Sequence, residues 1–387
     1  MFEFHFHNPT EVYFGEGAVK NLPKAVEKYD RILFVYGGGS IRKSGIYDAV
    51  IEQLQEKEIT ELSGVMPNPR TEKVYEGIEL CRKNQIELVL AVGGGSVSDC
   101  AKFIAAGAKL PEGEDFWQKY FLDQQWITEA LPVGVISTMA ATGSEMDEGG
   151  VITNWEQKLK LSGNGDACYP TFAILDPTYT YSVSKNQTVY GCVDILSHIF
   201  EIYFSKPDTP NVSDRLAEGL MRSVIENVDV VLKKPDDYTA RANLMWCSTM
   251  ALNGIIKCSK QQDWMSHQIE HALSAFYDIP HGAGLAIVHP VYMKYIYKNA
   301  PEKFAHYAQI IWGISGEGKT EEELALEGIE RTRQYFREIG APVTLKEVGI
   351  PEEAIPEIAA KTCIFPTSYS SLTRKDVENI LHLCVKE

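Results

Sequence analysis

Apolar residues fall in two different rhythms along this chain. In the first half they come in short unbroken runs: Arg31–Tyr36 (RILFVY), Glu87–Val92 (ELVLAV), Leu131–Ile136 and Phe172–Leu175. Each has the length of a strand, and three stop abruptly, at Gly37-Gly38-Gly39-Ser40, at Gly93-Gly94-Gly95-Ser96 and at Asp176-Pro177. Helical patterns follow both glycine turns. Strand, glycine turn and helix, twice over, predict an α/β fold with a parallel sheet and helices packed on it. From about Lys185 the rhythm changes to four-residue steps, as at Leu216, Leu220, Val224 and Val228. The boundary is placed there, with an α/β domain over 1–185 and an all-helical domain over 186–387. His5 and His7 alternate along an apolar N-terminal stretch and are expected on one face of a further strand.

The glycine turns carry the first candidate chemistry. Glycine lets backbone approach an anion closely, and the helix that follows offers unsatisfied N–H groups at its positive end. A pyrophosphate fits there, although a tight turn without ligand has the same sequence. Between the two turns Met66-Pro67-Asn68-Pro69-Arg70 forms a rigid polar loop that can edge such a site. After the third run, Ser137 to Glu145 (STMAATGSE) supplies small hydroxyl residues suited to phosphate or ribose, or to capping a helix.

The second candidate lies in the helical half. His267 and His271 are four apart and share a helical face, and His281 follows at a Pro-His-Gly corner where a new helix can start. Asp194 and His198 make another four-residue pair. One carboxylate and several imidazoles are a divalent-metal ligand set, provided the helices meet; otherwise these are ordinary core histidines.

Composition narrows the field. A net charge of -16 and a pI near 5.1 argue against nucleic acid or an anionic membrane as partner. No apolar run has spanning length, and the N-terminus lacks a signal-peptide core. Eight cysteines without a CxxC point to free thiols in a reducing, cytoplasmic setting.

Four motifs in order resemble one family. GGGSVSDCAKF (93–103) is similar to its GGGS-x-x-D-x-x-K signature, with Asp99 and Lys102 in place. STMAATGSE resembles its T-x-x-x-T-G-S-E element, and the Asp194/His198 pair with His267, His271 and His281 completes the pattern. The chain resembles the iron-dependent (group III) alcohol dehydrogenases, on the butanol dehydrogenase and NADPH-dependent aldehyde reductase branch. The likeness runs from FHNPTEVYFGEGA (6–18) through ALNGIIKC (251–258).

That resemblance implies an N-terminal dinucleotide-binding domain and a helical metal-binding domain. It implies one divalent metal, Fe(II) favoured and zinc possible, on Asp194, His198, His267 and His281. It also implies that His271 is no ligand but the catalytic residue near the nicotinamide. Cofactor contacts are expected from Gly37, Gly38, Gly39, Ser40, Asn68, Gly93, Gly94, Gly95, Ser96, Asp99, Thr138, Thr142, Lys160 and Tyr179. The substrate class implied is primary alcohols and aldehydes, and the assembly a homodimer.

Elementary chemistry adds two expectations. NAD-selective sites commonly place an acid on the adenosine ribose, which repels a 2′-phosphate. The first glycine turn has no acid, and Arg42 and Lys43 follow it, so NADP(H) is favoured with NAD(H) allowed. Asp99 is expected to compensate the helix N-terminus and Lys102 to pair with Asp99. A dehydroquinate-synthase-like lyase would need cations near its metal, yet Gln261 to Pro290 holds no Lys or Arg. A glycerol-dehydrogenase-like polyol oxidoreductase, which wants a more polar pocket, is the alternative within the same chemistry. A non-catalytic binding protein fits poorly with two complete motif sets.

Overall fold

The computed structural model describes residues 1–386. The chain falls into two compact units, one of His7–Val183 with Pro235–Asn253, the other of Met1–Phe6, Ser184–Lys234 and the residues from Gly254 on. The stretch Pro235–Asn253, assigned on sequence to the helical half, packs with the α/β unit.

The first unit is built on a parallel sheet of β1 (Glu11–Phe14), β2 (Arg31–Tyr36), β3 (Glu58–Leu62), β4 (Leu88–Gly93), β5 (Val133–Ser137) and β8 (Phe172–Leu175), in the order β1-β8-β5-β4-β2-β3. β6 (Gly149–Asn154) and β7 (Leu159–Asn164) form a separate antiparallel hairpin. The four apolar runs are the central strands, and their unbroken hydrophobicity has a simple cause. Leu33, Val35, Val89, Ala91, Val133 and Val135 enter one buried cluster; Ile32, Phe34, Tyr36, Leu88, Leu90, Val92 and Ile136 enter another. Alternate side chains point to opposite faces, and both faces are covered.

Numbering only the longer helices, α1 (Thr71–Lys83) and α2 (Gly95–Lys109) lie in this unit, and α2 starts directly at the second glycine turn. Strand order reverses between β2 and β4, since β3 adds on one side of β2 and β4 on the other. Ligands of such sheets bind outside the carboxyl ends of strands at that switch point. Both glycine turns flank it.

The strand expected around His5 and His7 does not form. The first strand begins at Glu11, after Pro9, which cannot donate to a ladder. Asn8 instead anchors the approach, its amide donating to the carbonyls of Met146 and Asn253 at 2.8 and 3.0 Å.

The second unit contains α3 (Lys185–Tyr203) and α4 (Val212–Lys233); α5 (Tyr238–Leu252) packs with the first unit. Then come α6 (Met265–Tyr277), α7 (His281–Ile296), α8 (Pro301–Trp312), α9 (Glu321–Ile339) and α10 (Arg374–Lys386). α3 and α7 are buried almost all round, which marks them as the centre of the unit. In α4, Leu220, Val224 and Val228 are buried, while Leu216 is exposed. Among the described residues, no helix is long and apolar enough to cross a membrane.

Candidate active site

Three central helices of the second unit bring the acid and imidazoles together. Asp194 and His198 lie one turn apart on α3, His267 and His271 one turn apart on α6, and His281 opens α7. The Nε2 atoms of His281, His198 and His267 stand 3.5, 3.7 and 4.0 Å from Oδ1 of Asp194. Metal bonds to nitrogen or carboxylate oxygen of about 2.0–2.2 Å place neighbouring ligand atoms about 3 to 4 Å apart. Asp194, His267 and His281 thus offer donor atoms close enough together for one small divalent ion, and His198 adds a fourth nitrogen within 3.7 Å of Asp194. Burial, and then His267, hold His198 well below the usual histidine range, so its ring is the neutral form a metal requires.

The rings are aimed from behind by two carboxylates. Glu201, one turn beyond His198, accepts from His267 Nδ1 at 2.9 Å and from the His267 backbone N–H at 3.1 Å. It also accepts from the N–H of Trp264 at 2.8 Å, holding that residue in a left-handed conformation (φ 74°) where α6 begins. The Trp264 ring lies edge-on to His198 and His267. Burial pushes the Glu201 carboxyl up to about 8 against the pull of the His267, Trp264 and Ser266 N–H groups; a bound cation would draw it down again. Glu270 takes the Nδ1 side of His281 and the Ser274 hydroxyl. It packs against α7 where only Gly284 leaves room, a Cβ there lying 2.7 Å from its Cγ. Both Nδ1 atoms thus face acids and both Nε2 atoms face Asp194, the carboxylate–histidine arrangement usual behind metal ligands.

His271 is buried, its ring centroid 5.5 Å from that of His281 and 6.3 Å from that of His267. Its donor atoms group with Glu270 and His281, whereas Asp194, His267 and His281 form a separate group. The two groups share His281, whose Nδ1 side faces Glu270 and whose Nε2 faces Asp194.

In the α/β unit, Gly37–Ser40 follow β2, Asn68 follows β3, Gly93–Ser96 end β4, Thr138 follows β5 and Tyr179 follows β8, all along the carboxyl edge. The N–H of Thr138 donates to the carbonyl of Gly93 at 2.9 Å, joining two of these ends. Gly95 admits Thr142 so closely that a Cβ would lie 2.4 Å from its methyl carbon. The Thr142 hydroxyl accepts from the Ser144 N–H. Burial pushes the Tyr179 hydroxyl up to about 12.

Two expectations are corrected here. Asp99 is the fifth residue of α2, beyond the first turn, and does not cap it. Its carboxylate accepts from the Ser144 hydroxyl at 2.6 Å and the Val151 N–H at 2.9 Å, tying the STMAATGSE loop and hairpin to α2. Lys102 pairs with Asp147, not Asp99, and donates to the Gly149 carbonyl at 2.6 Å. Lys160 is buried on β7, close enough for its charge to pull the Asp99 carboxyl down, though burial dominates and raises it.

A parallel sheet with glycine turns at its switch point in one unit, and a histidine-carboxylate cluster on buried helices in the other, are parts that a metal-dependent dinucleotide oxidoreductase requires. Comparison gives the family. Residues 9–177 match the iron-containing alcohol dehydrogenase model, and residues 188–385 match the C-terminal model of the Fe-containing alcohol dehydrogenase family. The chain belongs to the iron-containing alcohol dehydrogenase family and is an NAD(P)-linked alcohol/aldehyde oxidoreductase. It is 45% identical to NADH-dependent butanol dehydrogenase A of Clostridium acetobutylicum over the full length of both chains. It is 37% identical to the NADPH-dependent aldehyde reductase YqhD of Escherichia coli, covering 93% of each. The crystal structure of NADH-dependent butanol dehydrogenase A from Thermotoga maritima superposes with a TM-score of 0.95 at 43% identity, covering 99% of each chain.

Proposed function

We propose that this enzyme interconverts short primary alcohols and aldehydes with broad tolerance, using one divalent metal on Asp194, His198, His267 and His281. The observation that carries the reading is the convergence of three Nε2 atoms on Asp194 Oδ1 within 3.5–4.0 Å. Bound there, a metal supplies Lewis-acid polarisation of the substrate oxygen, and the nicotinamide supplies the hydride chemistry. Fe(II) is favoured and zinc fits the same donors.

The chain's own residues do the rest. Glu201 and Glu270 hold His267 and His281 in the tautomer that presents Nε2 forward. His271, buried beside His281, takes or gives the proton that accompanies hydride transfer. Gly93–Ser96 cradle the pyrophosphate at the start of α2. Gly37–Ser40 lie against the adenosine ribose, with NADP(H) favoured over NAD(H) because no acid stands in that turn. Asn68, Thr138, Thr142, Lys160 and Tyr179 border the nucleotide; Asp99 acts by fixing the loop around Ser144.

The enzyme is proposed to work in the cytoplasm, which suits its eight free cysteines. A homodimer is proposed from β1, an edge strand carrying the exposed Phe14. Steady-state hydride transfer on a panel of aldehydes, alcohols and polyols, with each nucleotide after metal reconstitution, tests the reading. Butanal-like aldehydes should be the better substrates; selective turnover of glycerol-like polyols would reject it.

A further inference from the structure

The first glycine turn is followed by a guanidinium that is already occupied. Arg42 Nη2 donates to Oε2 of Glu61, on the neighbouring strand β3, at 2.8 Å, and to the Tyr36 hydroxyl at 2.8 Å. Its guanidinium carbon stands 3.6 Å from the centroid of the Tyr47 ring. Glu61 is fixed in turn, accepting from Tyr36 at 2.8 Å and Tyr47 at 2.6 Å. Two hydroxyls, one carboxylate and one guanidinium thus form a closed network two residues past Gly37–Ser40. Burial pushes the Glu61 carboxyl up, but the Tyr47 and Tyr36 bonds and Arg42 outweigh it, so the acid stays ionised.

The network is unusual for a surface ion pair. Arg42 and Glu61 are 48% and 39% exposed, yet each is bonded to or stacked on Tyr36 and Tyr47 at the edge of the core. A freely moving pair would yield its arginine to any stronger anion at little cost. Here the carboxylate is pinned, and its charge offsets the cation nearest the turn. Lys43, also in this segment, remains as a compact charge without the planar fork that suits phosphate.

We propose that Glu61 is a specificity-determining residue for the nucleotide: by holding Arg42 it withholds the guanidinium from a 2′-phosphate and keeps NAD(H) competitive with NADP(H). This rests on the reading that Gly37–Ser40 meet the adenosine ribose. The absence of an acid in the turn admits the 2′-phosphate, and Glu61 limits how strongly it is held. Preference is then set by two carboxylate positions, one vacant in the turn and one filled on β3.

The test is equilibrium binding of NADPH, NADH, 2′,5′-ADP and 5′-ADP to the full-length wild type, Glu61→Gln, Arg42→Met and the double variant, by calorimetry. Glu61 is exposed on an edge strand, so its replacement should not unfold the chain; Glu61→Ala provides a second version. Glu61→Gln should tighten NADPH and 2′,5′-ADP about three- to fivefold, with NADH and 5′-ADP nearly unchanged. In the Arg42→Met background the same change should do little. Unchanged or weakened NADPH binding in Glu61→Gln overturns the proposal. So does a gain that persists without Arg42, which would mean simple repulsion by Glu61. Gly37→Asp separates the two levels: if it shifts the NADPH to NADH ratio while Glu61→Gln does not, the turn reads the ribose and only the role of Glu61 fails. If neither shifts it, the ribose assignment itself is wrong. Inorganic phosphate serves as a control, since competition equal to that of 2′,5′-ADP would reduce the site to general anion binding and overturn the proposal.

Discussion

Glu201 holds His267 twice, through the ring Nδ1 at 2.9 Å and the backbone N–H at 3.1 Å, so one buried carboxylate sets both the helix position and the ring tautomer. Removing it should act on metal affinity before it acts on the fold. Glu201→Ala is expected to weaken metal binding about 10- to 100-fold, the usual loss when the partner behind a histidine ligand is removed. Chelator competition on the folded variant measures this. Unchanged affinity would mean that His267 needs no support from Glu201.

The four proposed ligands and His271 should separate by phenotype. His198→Ala or His281→Ala is expected to lose metal and activity together. His271→Ala should keep its metal while turnover falls and its pH dependence changes. Metal analysis beside pH–rate profiles distinguishes them. Metal loss in His271→Ala would make that residue a ligand.

Gly37→Asp should swing nucleotide preference towards NADH. Gly37 does not use a left-handed backbone, and an added Cβ meets only the Val65 carbonyl at 3.4 Å and Val97 at 4.0 Å, so the side chain is tolerated. A carboxylate about 4 Å from a 2′-phosphate repels it by about 4 kcal/mol at intermediate dielectric, and a quarter of that is about fivefold. The ratio of kcat/KM values for NADPH and NADH is the readout. A ratio that stays fixed in an active variant removes the basis for placing the ribose at this turn.

Lys102 should matter for stability. It is fully buried, paired with Asp147 and donating to the carbonyl of Gly149. Lys102→Met leaves the Asp147 carboxylate without its cation and is expected to cost about 3–5 kcal/mol. Urea unfolding checks it, and a loss under about 1 kcal/mol would show that Asp147 finds another partner or becomes protonated.

The central strands were legible because each is buried on both faces and reads as an unbroken apolar run. β3, with its sequence EITEL, and the hairpin GGVITN/LKLSGN were not, because half-exposed and glycine-rich strands carry no such signal. Sequence placed the segment Tyr238–Leu252 simply within the all-helical half. Its packing with the α/β unit depends on contacts such as Thr249 with Glu145 and Ser248 with the Ala141 N–H, far apart in sequence. The acid and imidazoles of the site were visible at four-residue spacing. Glu201 and Glu270 were missed, although each sits within one helical turn of a site histidine. Their rings of contact lie on other helices or beyond a corner, where periodicity gives no guidance. Lys102 shows the same limit: Asp99 is its helical neighbour at three residues, yet a loop acid 45 residues away is its partner.

The most direct test of the account is a crystal structure of the Fe(II)-loaded enzyme, grown without oxygen and measured at the iron absorption edge. One anomalous peak is predicted, about 2.0–2.2 Å from Asp194 and from Nε2 of His198, His267 and His281, with His271 outside bonding distance. A peak bonded to His271 and Glu270 instead, or no ordered iron among these side chains, would contradict it.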